Sequence, residues 1–215
     1  MTGPGPYIVL CTLAVAALLA AERRQSQRGK WLAKPLASLA FVATAFASGG
    51  LDSSYGLLVL CGLASCLLGD VLLIPEGQPG VFRAGIVAFL CGHLLFAAAF
   101  LTQPLGITWL ALAGTALAVS LWFVWRWLRP TLPADMRVAV LAYLLVIGAM
   151  ASLAVALAGA GGPVSVALGA LAFAASDVSV ARDRFVREEF FNRAWGLPLY
   201  YFAQLLIALS TAAYA

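Results

Sequence analysis

Along this chain, apolar residues come in long continuous runs, broken by short segments that hold nearly all the charge. A helix needs about 20 mainly apolar residues to cross the hydrocarbon core of a bilayer. Eight runs read as spans, the first two of them shorter than the rest: 7–21, 34–48, 55–74, 82–101, 106–127, 137–158, 164–180 and 195–214. They are continuous rather than alternating, which favours helices over the strands of a membrane barrel. The expected fold is all-α, with eight transmembrane helices in one bundle. Residues 1–215 form a single transmembrane domain, because the connections are too short to hold a soluble one.

Composition strengthens this reading. Of 215 residues, 63% are hydrophobic and 10% charged, where a soluble domain is about half apolar and a quarter charged. Mean hydropathy is +0.98. The net charge of +4 would suit nucleic acid, but its placement argues for a membrane instead. Lys and Arg fall only around alternate connections. Arg23, Arg24, Arg28, Lys30 and Lys34 mark the first, Arg83 the second, Arg126, Arg129 and Arg137 the third, and Arg182, Arg184, Arg187 and Arg193 the fourth. This positive-inside pattern puts those four connections in the cytoplasm and both termini on the far side, in keeping with an even number of spans. A multi-pass protein of the cell membrane is expected. The excess of Arg over Lys and the abundance of Ala point to a GC-rich bacterial genome, and so to a bacterial inner membrane.

The first run is not built like a signal peptide. Its leader MTGPGP carries no positive charge, and the basic cluster ERRQSQRGK follows the apolar stretch instead of preceding it. A retained helix is expected. Cys11, Cys61, Cys66 and Cys91 all lie inside runs, at no metal-ligand spacing, and read as small packing residues. With His93 the only histidine, a histidine zinc site and a serine triad both lack their parts.

Two acids lie within apolar runs, Asp70 and Asp177. An Asp at a helix centre costs about 2.5–3.5 kcal/mol on insertion scales, so such residues mark function by default. Asp70 stands four residues before Ile74 and Asp177 three before Val180, on runs of the same direction. Each should sit about 5–7 Å inside the cytoplasmic boundary and face a shared cavity. Gly62, Cys66 and Asp70 recur every four residues, as do Gly169, Phe173 and Asp177, so each acid shares a helix face with smaller or apolar groups. GLASCLLGD (62–70) aligns with GALAFAASD (169–177), and GHLLFA (92–97) with AQLLIA (203–208). Four runs separate them, which suggests a parallel repeat of two four-helix halves, with His93 opposite Gln204. Asp70 has no basic neighbour in sequence, which would suit a carboxyl that keeps its proton. Asp183, Glu188 and Glu189 read as a solvated loop. Arg182, Arg184 and Arg193, with Lys34, stand at the level of a lipid phosphate, though each serves equally as a topology determinant.

KPL (34–36), LLGD (67–70), GHLLF (92–96), SD (176–177) and WGLPLYYFAQLLIALS (195–210) together resemble the YhhN family of integral membrane proteins, in the family's order and over nearly the whole chain. The resemblance implies an eight-helix bundle that hydrolyses the vinyl ether bond of lysoplasmalogen, a family activity found in the animal lysoplasmalogenases. The products would be a fatty aldehyde and glycerophosphoethanolamine or glycerophosphocholine. It implies a lysophospholipid substrate, membrane lipids as surroundings, and no cofactor. On this analogy Asp70 and Asp177 are the catalytic pair. Lys34, His93, Asn192, Tyr200, Tyr201 and Gln204 complete the candidate site as groups that orient headgroup or water.

Vinyl ether hydrolysis needs an acid to protonate carbon and a base to activate water, and two carboxyls supply both without a metal. Three other readings use the same acids. A proton-coupled transporter would employ them as a relay. An intramembrane aspartyl protease would need Gly where Leu67 stands in its GxGD pattern. A scaffold would use them only to tie helices together.

Overall fold

The computed structural model describes residues 3–215. It consists of eight long helices: α1 (Gly5–Arg23), α2 (Gln27–Ala47), α3 (Ser54–Leu72), α4 (Pro79–Leu101), α5 (Ile107–Leu128), α6 (Arg137–Gly159), α7 (Val164–Phe185) and α8 (Phe190–Leu209), with short 3₁₀ turns at Ala134–Met136 and Ser210–Ala213. Seven of the helices are long and apolar enough to cross a membrane. The remaining one, α2, is equally long at 21 residues, but Lys30, Lys34 and Pro35 in its first half lower its apolarity.

Three helix ends extend five or more residues beyond the apolar runs. α2 starts at Gln27, seven residues before 34, because Ser26 caps it: its side chain accepts a hydrogen bond from the Gly29 N–H at 3.2 Å. α7 continues to Phe185, five residues past 180, with Arg182 and Arg184 in its last turn, where cations meet the negative end of the helix dipole. α8 starts at Phe190, five before 195. An apolar run measures the hydrocarbon to be crossed, whereas charged residues such as Arg and Lys are good helix formers and extend the helix beyond it.

Consecutive helices pack as neighbours, α1 with α2, α3 with α4, α5 with α6, and α7 with α8. α2 also packs on α3 and α8, and α6 on α4 and α7. Small residues set the closest approaches, as lipid-embedded packing requires. A methyl at Gly62 of α3 would come within 2.5 Å of the buried Phe96 ring of α4, and one at Gly92 within 2.7 Å of Cys66 Sγ. Gly62→Ala should therefore cost about 1–3 kcal/mol through overpacking, read as a lower thermal unfolding midpoint in detergent. Cys11 and Cys66 are buried packing residues, but Cys61 and Cys91 lie on the outer surface. α5 is the least enclosed helix: Trp109, Trp122, Phe123 and Trp127 all face outward.

Candidate active site

Gly62, Cys66 and Asp70 do share one buried face of α3, which directs Asp70 toward α2 and α8. The carboxyl is 2% exposed. Its Oδ2 accepts hydrogen bonds from Tyr200 Oη of α8 and Ser38 Oγ of α2, both at 2.7 Å. Lys34 Nζ lies 3.4 Å from Oδ1. The expectation of an acid without a cation is thus corrected. Lys34 and Ser38 are four residues apart on α2, on one face, so a partner remote in sequence reaches Asp70 from the next helix. Tyr201 stands behind this group, with its hydroxyl 3.2 Å from Ser38 Oγ and 3.4 Å from the Lys34 carbonyl, to which it donates.

On α7, Gly169 and Phe173 are buried, and Asp177 on the same face keeps 16% side-chain exposure. His93 Nε2 of α4 lies 3.1 Å from Asp177 Oδ2, and Tyr143 Oη of α6 donates to the same oxygen at 3.4 Å. The His93 and Tyr143 side chains are themselves 3.2 Å apart. The His93 ring packs against Phe173 with centroids 4.3 Å apart, and Phe173 against Tyr200 at 5.4 Å. A file of rings, His93–Phe173–Tyr200, therefore joins the two carboxyl clusters.

Asp70 and Asp177 line the same cavity of about 270 Å³. Lys34, Tyr143 and Tyr200 line it too. At one end its walls are charged, with Glu22, Lys30, Glu76, Asp183, Arg184, Glu188 and Arg193. Elsewhere they are apolar, with Leu121 and Val124 of α5 and Val140, Leu144 and Ile147 of α6. The charged end carries the α1–α2, α3–α4 and α7–α8 connections.

The other sequence candidates stand behind these walls. His93 and Tyr201 support the two acids from the core, as above. Gln204 is fully buried with neither side-chain atom hydrogen-bonded. Asn192 is also fully buried and holds the α7–α8 turn. Its Oδ1 accepts from Arg182, and its Nδ2 donates to Asp183 Oδ1 at 3.0 Å and to the Arg187 carbonyl at 2.8 Å.

The solvated loop expected for Asp183, Glu188 and Glu189 is corrected for Asp183, while Glu188 and Glu189 do lie on the connection and Glu188 is exposed. Asp183 lies on α7, accepts from the Glu189 N–H at 3.0 Å, and pairs with Arg193 at 3.1 Å. Glu189 pairs with Arg182 at 3.2 Å, and Glu188 with Arg193 at 2.7 Å. Between the spans, Glu76 accepts from Lys30 Nζ at 2.7 Å, and that hydrogen bond holds its carboxyl below the usual range.

Sequence reasoning missed Ser38 and Tyr143. Their only signal is a hydroxyl inside an apolar run. Ser38 is four residues on from Lys34, but nothing in the sequence pairs Tyr143 with Asp177.

An all-helical bundle whose two membrane-level carboxyls border one amphipathic cavity belongs to the class of multi-pass membrane proteins with a buried polar site. Within that class the chain belongs to the YhhN family, whose model matches residues 29–211. It is similar to lysoplasmalogenase TMEM86A of Bos taurus, 34% identical over 158 residues, covering 71% of this chain and 64% of that protein. It is also similar to lysoplasmalogenase TMEM86B of Rattus norvegicus, 30% identical over 205 residues, covering 95% of this chain and 82% of that protein. The match to human TMEM86B is 36% over 163 residues, 76% of this chain and 65% of that protein. The chain thus spans about 64% of the length of the TMEM86A proteins it matches. No solved structure matches it.

Proposed function

We propose that the protein is a membrane hydrolase that cleaves the vinyl ether bond of lysoplasmalogen, with Asp177 as the proton donor and Asp70 as the base. The observation that carries this reading is the shared cavity: two carboxyls border one space that is charged at one end and apolar at the other. A lysolipid has the same division, and its vinyl ether lies at the junction. The names of the relatives support the same substrate class.

The roles follow from the partners. Asp70 receives two hydroxyl donors and faces an ammonium, the surroundings of a carboxylate that acts only as acceptor. Asp177 has fewer donors and is more open to the cavity. Asp177 gives its proton to the alkenyl carbon beta to the ether oxygen, and the neighbouring carbon becomes an oxocarbenium ion. The Asp70 carboxylate stabilises that cation and takes a proton from the attacking water, which forms a hemiacetal. Collapse of the hemiacetal breaks the carbon–oxygen bond to glycerol: Asp70 returns its proton to the departing glycerol oxygen, the hemiacetal hydroxyl gives its own to Asp177, and a fatty aldehyde and the glycerophospho alcohol are released. One water is consumed, and no metal enters the scheme. The parallel is with glycoside hydrolysis, where paired carboxyls flank a similar cation.

Aldehyde release by the purified protein, measured in EDTA, is the test. Lysoplasmalogen should be cleaved and its saturated ether analogue left intact. Proton flux across protein-containing liposomes without hydrolysis would overturn the reading in favour of a transporter.

The placement of Lys and Arg further supports a cytoplasmic side for the four basic connections, and the Arg- and Ala-rich composition supports a bacterial inner membrane. A built-in duplication is supported by how each acid is held. Asp70 on α3 is contacted from α2 and α8, and Asp177 on α7 from α6 and α4. A shift of four helices turns one set into the other, as it does the α2–α8 and α4–α6 packing.

A further inference from the structure

Four cations line the cavity: Lys30, Lys34, Arg184 and Arg193. Three are committed to carboxylates. Lys34 faces Asp70 at 3.4 Å, Lys30 holds Glu76 at 2.7 Å and Glu22 at 3.4 Å, and Arg193 holds Glu22, Asp183 and Glu188 at 3.3, 3.1 and 2.7 Å. Among the described residues, Arg184 alone of the four has no carboxylate within 4.0 Å. Its guanidinium lies over the Phe82 ring of α4, with Cζ 4.1 Å from the centroid, at the charged end of the cavity. A stacked guanidinium spends its face on the ring and keeps its in-plane N–H donors free. That planar fork matches two oxygens of a phosphate.

Register supplies the second argument. Arg184 is seven residues beyond Asp177 on α7. Residues seven apart share a helix face, about 10 Å apart along the axis. Phe82 and Phe89 of α4 have the same spacing and both line the cavity. The Phe89 ring packs on Tyr200 at 5.9 Å, and Tyr200 donates to Asp70. Two facing helices thus place the stacked guanidinium two turns from the carboxyls, a gap that an extended glycerol phosphate largely bridges.

We propose that Arg184 is the phosphate-binding residue for the lysophospholipid headgroup, with Phe82 holding the plane of its guanidinium. This rests on the lysoplasmalogen reading, but its test does not require turnover. Binding to the purified full-length chain is measured for a saturated ether lysophospholipid, which carries the phosphate, and for a 1-alkylglycerol of equal chain length, which does not. The phospholipid should bind more tightly to the unaltered protein. Arg184→Gln should weaken phospholipid binding about tenfold and leave alkylglycerol binding unchanged. Arg184→Lys should recover part of the loss, and Arg126→Gln, on α5 outside the cavity wall, should not reproduce it. Equal weakening of both ligands by Arg184→Gln, or no weakening of either, overturns the assignment. Competition separates the two sources of phosphate. Glycerophosphoethanolamine should displace the phospholipid at lower concentration than inorganic phosphate does; if inorganic phosphate displaces it equally well, the site is one for free phosphate and the headgroup assignment fails.

Discussion

Asp177→Asn should reduce aldehyde release from lysoplasmalogen by about 100- to 10,000-fold, the range that a positioned acid contributes. The amide fills the same space and can still meet His93 and Tyr143, which lie 3.1 and 3.4 Å from Asp177 Oδ2. It carries no carboxyl proton to give to carbon. The thermal unfolding midpoint should therefore stay near that of the unaltered protein while turnover collapses. Asp70→Asn should also abolish turnover, but at a cost in stability, because it leaves Lys34 facing a neutral group. The contrast separates catalysis from scaffolding. If the acids only tied helices together, both changes would lower stability and neither would remove activity from the protein that remains folded. Full activity in either variant would remove that residue from the mechanism.

Lys34→Met should be the most destabilising single change at the site. The Lys34 and Asp70 side chains are 12% and 2% exposed, so their ion pair is shielded from water. Removing one partner from a buried pair costs about 3–5 kcal/mol, because the other charge is left uncompensated. Tyr200 and Ser38 would still donate to Asp70, so the loss should fall toward the lower end. The double variant Lys34→Met with Asp70→Asn should be less destabilised than the two single losses added together, since the stranded charge is gone. Denaturant unfolding of all four proteins measures this coupling. A double variant that simply sums the single effects would show that Lys34 and Asp70 act independently.

The sequence was most legible where one side chain violates its surroundings. Asp70 and Asp177 are conspicuous because each breaks an apolar run, and both do border the cavity. The helices were legible as hydrocarbon-length runs, but their ends were not at α2, α7 and α8, where capping and charged helix formers extend them. The partners of the acids could not be read, because they come from other helices whose rotation and height depend on packing. Lys34 looked like an interfacial cation from its position at the edge of a run, yet its flexible stem carries the ammonium to Asp70. Tyr143 sits in an apolar stretch with nothing nearby in sequence to mark it, and only the approach of α6 to α7 gives it a role. Gln204 was conspicuous for the same reason as the acids, but the packing leaves it buried behind the cavity wall.

The cavity's division into a charged end and an apolar end has a consequence for the proposed hydrolysis. An intact amphiphile engages both ends at once, and its covalent link makes the second engagement nearly free once the first is made, as in any two-point attachment. In the proposed hydrolysis, cleavage at the Asp70–Asp177 level cuts that link. Each fragment then holds the protein at one end only and loses the advantage of being tethered to the other. The long hydrocarbon product returns to the bilayer and the small polar product to water. Neither phase enriches the pair that would have to rebind together, so the geometry that concentrates substrate also works against inhibition by its own products.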